Sequence, residues 1–153
     1  MSDDDPKNGD GVNHIRMIGQ SFGVLLAATG LTIGAASMSN AASAANTMTA
    51  SCSTTGASGS SVSVYGSDPW GEVKVTLRVK DTSADGHHVR VRYLTKGDSG
   101  LVYKWKWHSN TDGSGTTKEW ETTAWSTYGI YEKGVEVARF EGDTLLNSCV
   151  DWG

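Results

Sequence analysis

At 153 residues the chain suits one domain, and nineteen glycines against two prolines suit short strands joined by tight turns. A formal net charge of −4 gives no bulk electrostatic reason to bind nucleic acid.

The first 21 residues are polar and acid-rich, with Asp3, Asp4, Asp5 and Asp10 against Lys7 and Arg16. Residues 22–36 are apolar: Phe22, Val24, Leu25, Leu26, Leu31 and Ile33 are interleaved with Ala and Gly. The small-residue site Ala42-Ser43-Ala44 follows. This order predicts a secretory signal peptide over 1–44, removed on export. The apolar run falls short of the roughly 20 residues a membrane span needs, so no membrane association is expected after its removal.

Residues 45–60, rich in Ser, Thr and Gly, lack the apolar side chains that offset ordering entropy. They read as a flexible lead-in or strap, with the folded domain at 61–153. Two cysteines in an exported chain, Cys52 and Cys149, imply one disulfide tying the start of the fold to its end. No further Cys or suitably spaced His joins them to make a metal site.

A short strand is expected at 61–65, and Gly66-Ser67-Asp68-Pro69 is a turn. The stretch 72–108 carries the strongest pattern. Val73, Val75, Leu77 and Val79 alternate with charged residues and Thr76. After the Ala84-Asp85-Gly86 turn, Val89, Val91 and Tyr93 alternate with His88, Arg90 and Arg92. After residues 96–100, Leu101, Tyr103, Trp105 and Trp107 alternate with Val102, Lys104, Lys106 and His108. A period of two sends alternate side chains to opposite sheet faces. The expectation is three sequential antiparallel strands with one apolar and one cationic face. Residues 109–115 form a loop, 116–124 and 125–131 read as Thr- and aromatic-rich strands, and Lys133-Gly134 reads as a turn. Residues 135–140 alternate again, Glu141-Gly142-Asp143 turns the chain, and 145–152 close it. Seven or eight short strands without an amphipathic helix predict an all-β antiparallel sandwich with one disulfide.

Catalytic signatures are absent. Gly56-Ala57-Ser58-Gly59-Ser60 lacks the G-x-S-x-G register, and bridged cysteines offer no nucleophile. Adjacent strand residues His87 and His88 point to opposite faces, so they do not share an ion, and no cofactor or metal is expected. Two features point to binding. Lys74, Arg78, Lys80, Arg90, Arg92, Lys104 and Lys106 would form one basic face able to steer an acidic protein or an acidic wall polymer. Trp120, Trp125, Tyr128 and Tyr131 sit among Thr and Gly as candidate exposed aromatics, suited to sugar rings or protein hot spots.

Three segments carry a resemblance. Residues 79–92 hold the turn Asp81-Thr82-Ser83-Ala84-Asp85-Gly86-His87 and a Val/Arg strand. Residues 112–118 are a Gly/Ser/Thr loop before an edge strand, and 147–152 bring a closing Cys. In these features residues 60–152 resemble a group of small exported actinobacterial β-sandwich proteins. Some proteins of this kind are similar to adaptor subunits of secreted antibacterial particles, the umbrella toxins, in which a flexible N-terminal segment engages a partner. The resemblance implies an extracellular, non-catalytic adaptor for a secreted protein partner, with 45–60 as the strap. A carbohydrate or cell-wall polysaccharide module using the exposed Trp and Tyr is the alternative. A small secreted hydrolase built on scattered carboxylates is the third reading.

Overall fold

A computed structural model describes residues 45–153, which form nine antiparallel strands in two sheets. The expected leader over 1–44 lies outside the described residues. The four-stranded sheet runs in the order β1 (Asn46–Thr54), β2 (Ala57–Tyr65), β3 (Val73–Asp81), β7 (Thr117–Ala124). The other runs β5 (Val102–Lys104), β4 (His88–Lys96), β8 (Glu132–Glu141), β9 (Thr144–Trp152). β6 (His108–Asn110) pairs with β4 on the same edge as β5. The fold is the all-β sandwich its alternation predicts, with nine strands where seven or eight were expected.

The core follows from that alternation. Val73, Val75, Leu77 and Val79 of β3 face Val89, Val91 and Tyr93 of β4 and Val135 and Val137 of β8, all buried. At about 25 cal/mol per Å² of apolar surface removed from water, each such side chain contributes roughly 1.5–3 kcal/mol. β1 and β2 turn mostly small residues inward, among them Ala50, Ala57, Gly59, Ser61 and Ser63, with Tyr65 at the end of β2 the large exception. The two sheets approach closely there. A Cβ on Gly59 would lie 2.8 Å from Val137 Cγ2. The Tyr93 hydroxyl crosses the core to Ser63 Oγ at 2.8 Å. Burial pushes its pKa up to about 12.

Four expectations are corrected. Residues 45–60 are no lead-in: they form β1, the two-residue turn and the first part of β2, paired residue for residue. Their composition could not reveal a partner strand lying beside them; the expected Cys52–Cys149 bridge is present and joins Cα atoms 6.0 Å apart. β3 and β4 are not neighbours in one sheet; residues 82–87 carry the chain across to the opposite sheet. An apolar face needs a cover, and here each of the two strands covers the other. Residues 125–131 are a loop rather than a strand. Lys133 and Gly134 lie inside β8 rather than in a turn. Glycine is needed at 134 for proximity, since a Cβ there would sit 2.7 Å from Trp152 Cε3.

Candidate functional site

Three connections meet at one end of the sandwich. They are the β2–β3 loop (66–72), the β4–β5 turn (97–101) and the β7–β8 loop (125–131). Local chemistry shapes each. Asp68 Oδ1 accepts the Trp70 N–H at 2.9 Å, and its carbonyl accepts that of Gly71 at 3.0 Å. Asp98 Oδ1 accepts the Ser99 N–H, and Gly100 takes a positive φ of 75°. Gly129, at φ 69°, donates to Ser126 O at 3.1 Å. The three are then locked together through the backbone. Ile130 N–H donates to Pro69 O at 2.7 Å, Tyr131 N–H to Lys96 O at 2.9 Å, and Asp98 N–H to Tyr128 O at 3.4 Å.

This interlocked end carries exposed aromatics. Trp70 is 50% exposed, Trp125 59%, Tyr128 73% and Tyr131 46%. Trp70 and Tyr131 meet edge to face, with centroids 6.1 Å apart. Leu101, Val102 and Tyr103 continue the patch along β5. Among the described residues ten large apolar side chains are exposed, and seven of them belong to this end and the strand leaving it. Scattered single exposures need no explanation, but a concentration of this kind marks an interaction surface. The remaining three, Leu145, Leu146 and Val150, lie on β9.

Beside the patch, at the sandwich edge, a cleft of about 310 Å³ opens between β7 and the β5–β6 segment. Tyr103, Trp105, Lys106 and His108 form one wall, Thr122 stands opposite, and Leu77 and Tyr93 make the floor. Trp105 Nε1 donates to Thr95 Oγ1 at 3.2 Å, and Tyr103 packs edge-on against the indole at 5.1 Å. Burial, with Lys106 nearby, lowers the His108 pKa, which favours the neutral ring.

The residues singled out from the sequence divide accordingly. Trp125 and Tyr128 stand in the exposed patch. Trp120 does not: it faces inward from β7, half-buried against the core, with its ring 5.2 Å from that of His108. Trp105 likewise packs against the core. The continuous basic face is absent. Lys74, Arg78 and Lys80 project from the four-stranded sheet, while Arg90, Arg92 and Lys104 belong to the other, so the two groups lie on opposite sides of the sandwich. Lys106 follows β5 and lines the cleft. The cations are also largely engaged. Arg78 Nε lies 3.2 Å from Glu119, Arg92 Nη2 lies 2.7 Å from Glu136 with Lys104 at 3.7 Å, and Arg90 Nη2 lies 2.9 Å from Asp143. Arg90 and Arg92 further stack on Phe140 and Trp107 at 4.2 and 4.1 Å.

The histidines serve separate local networks. The His87 ring lies 3.0 Å from Asp85, whose other oxygen accepts Arg139 Nη1 at 2.7 Å. His88 stacks on Phe140 and accepts from Arg90 Nε at 3.0 Å. Among the described residues no three His, Cys, Asp or Glu side chains are placed to hold a metal ion.

The sequence reading missed Trp70, Leu101 and Tyr103 as surface groups. Trp70 had a signal: it follows Asp68-Pro69 in a turn. Tyr103 had none, because it alternates as a core residue would. No family model matches the chain, and no curated protein or solved structure matches it either.

Proposed function

We propose that this domain is an exported, non-catalytic protein-binding module, an adaptor that engages a secreted protein through its aromatic loop end. The observation that carries the reading is the gathering of Trp70, Trp125, Tyr128 and Tyr131 on three loops held together by backbone hydrogen bonds. Rigid Trp and Tyr side chains supply large contact area at low entropic cost and dominate binding hot spots. Loops fixed in advance lose little further freedom on association. The paired, divided basic residues support this reading over one in which a cationic sheet face makes the contact.

The test is comparative capture from the producing culture's supernatant, with the exported chain tagged after Gly153 on a long linker. The double variant Trp125→Ala, Tyr128→Ala should keep the wild-type melting temperature and lose at least tenfold of a stoichiometric partner. Identical recovery by wild type and variant would remove the loop end from the function.

One observation favours a second reading, carbohydrate binding. The edge cleft offers the Trp105 and Tyr103 rings, a neutral His108 and the Thr122 hydroxyl, groups that suit a sugar ring. Sedimentation with washed cell walls that survives high salt and is lost in Tyr103→Ala would support it.

A further inference from the structure

Lys133 is the one lysine buried among the described residues, at 5% exposure. It lies on the inward-facing set of β8 together with Val135 and Val137, so its side chain enters the sandwich at the loop end. Its ammonium has poor company. Nζ sits 3.8 Å from the centroid of the Tyr65 ring and 3.5 Å from Ile130 O. No described carboxylate lies within 4.0 Å of it, whereas Arg78, Arg90, Arg92, Lys96, Lys104, Lys118 and Arg139 each have one. Burial without a counter-charge lowers its pKa from the ordinary lysine range. An ammonium held this way is a cation short of an anion.

The space beside it is suited to one. A cavity of about 180 Å³ is lined by Lys133, Tyr65, Pro69, Val73, Ile130 and Tyr131. The cavity opens to solvent and has room for a short side chain. The Trp70–Tyr131 pair stands at this site, so the cavity belongs to the same loop end as the exposed aromatics. Asp68 is the one acidic residue on the lining, and its Oδ1 is engaged by the Trp70 N–H.

We propose that this socket receives a Glu or Asp side chain of the protein partner, with the carboxylate pairing to Lys133 Nζ and the methylenes lying against Tyr65 and Ile130. The proposal rests on the protein-binding reading of the loop end and names the chemistry of the partner's anchor.

The experiment follows the lysine side-chain resonances of the exported chain while N-acetyl-glutamate α-amide is added, with the glutamine analogue and glucuronate as parallel probes. The expected result is a saturable shift of the Lys133 Cε and Tyr65 ring signals at millimolar glutamate probe. A raised Lys133 pKa in the complex should accompany it, with no saturable response to glutamine. Lys133→Met, close in volume, should fold and lose the Tyr65 response. An equal response to the glutamine probe, no saturation, or a response to glucuronate alone would overturn the proposal. Capture by the Trp125 and Tyr128 variants separates the two readings. A silent glutamate probe with capture still lost in those variants removes the socket and leaves the loop end. A responding probe with capture unchanged removes the protein partner from both.

Discussion

Asp85 shows how one side chain sets the acid limit of the far end of the sandwich. Its carboxylate accepts the His87 backbone N–H at 3.1 Å and Arg139 Nη1 at 2.7 Å. These contacts, the His87 N–H first, hold its pKa down at about 2. A carboxylate whose pKa is lower folded than unfolded adds stability at pH values above its unfolded pKa, about 3.9. That stability is lost as pH falls toward 2. Urea unfolding measured from pH 5 downward should therefore show a decline that is shallower in Asp85→Asn. Parallel decline in both proteins would show that Asp85 does not anchor the turn. The Asp85-Gly86 pair announces a turn in the sequence, and Gly86 does take a positive φ of 78°. Nothing local announces Arg139, 54 positions away, which closes it.

β1 is the element whose stability depends most on what lies outside it. Of its residues only Ala50 is fully buried, and it is an edge strand with one hydrogen-bonded neighbour. Three ties cross from it to β9: the Cys52–Cys149 bridge, the Ser51 N–H to Asp151 Oδ2 at 2.8 Å, and Thr54 Oγ1 to Asn147 Oδ1 at 3.2 Å. The bridge spans 97 positions. The chain-entropy model gives such a loop a ceiling of about 4.7 kcal/mol. Replacing both cysteines by serine should cost about 2–5 kcal/mol. Amide exchange should accelerate first in β1. An unchanged melting temperature would remove the bridge from the stability of the fold. Alternation in the sequence marks β3, β4 and β8 because each has a side that must be dry. It cannot say which sheet a strand joins, since both arrangements bury the same residues. β1 is illegible for the complementary reason: ladder bonds and a distant cysteine hold it, and neither leaves a hydrophobic period.

Across the whole molecule, charge and aromatic surface are separated. The outer face of the four-stranded sheet carries Lys74, Arg78 and Lys80, with Glu119 opposite Arg78 and Glu121 opposite Thr76 on β7. The other sheet's cations are committed to Glu136, Asp143 and aromatic rings. The exposed Arg78–Glu119 pair contributes about 0–1 kcal/mol. The Lys74→Glu, Arg78→Glu, Lys80→Glu variant should therefore recover the captured partner within about twofold of wild type at physiological salt, where screening acts over ~8 Å. Loss of recovery would place the interface on that sheet. Trp125 and Tyr128 were legible as exposed aromatics because Ser, Thr and Gly around them offer nothing to bury an aromatic ring. Trp120, in a similar setting, is half-buried because strand pairing with Leu77 turns it toward the core.

The crosslink also decides how the domain would carry load. Asn46 pairs with Tyr65, and the Gly153 N–H donates to Lys133 O, so the strand that starts the domain and the strand that ends it both open at the loop end. Tension applied between those two points would run along 46–52, through the Cys52–Cys149 bond, and out along 149–153. Everything from 53 to 148 lies outside that covalent path. The twelve residues on the path can extend to about 40 Å at ~3.3–3.6 Å each, whereas the reduced chain would pay out roughly nine times as far. In the oxidised state the bridge caps how far the two ends can separate, whatever the tension applied to them.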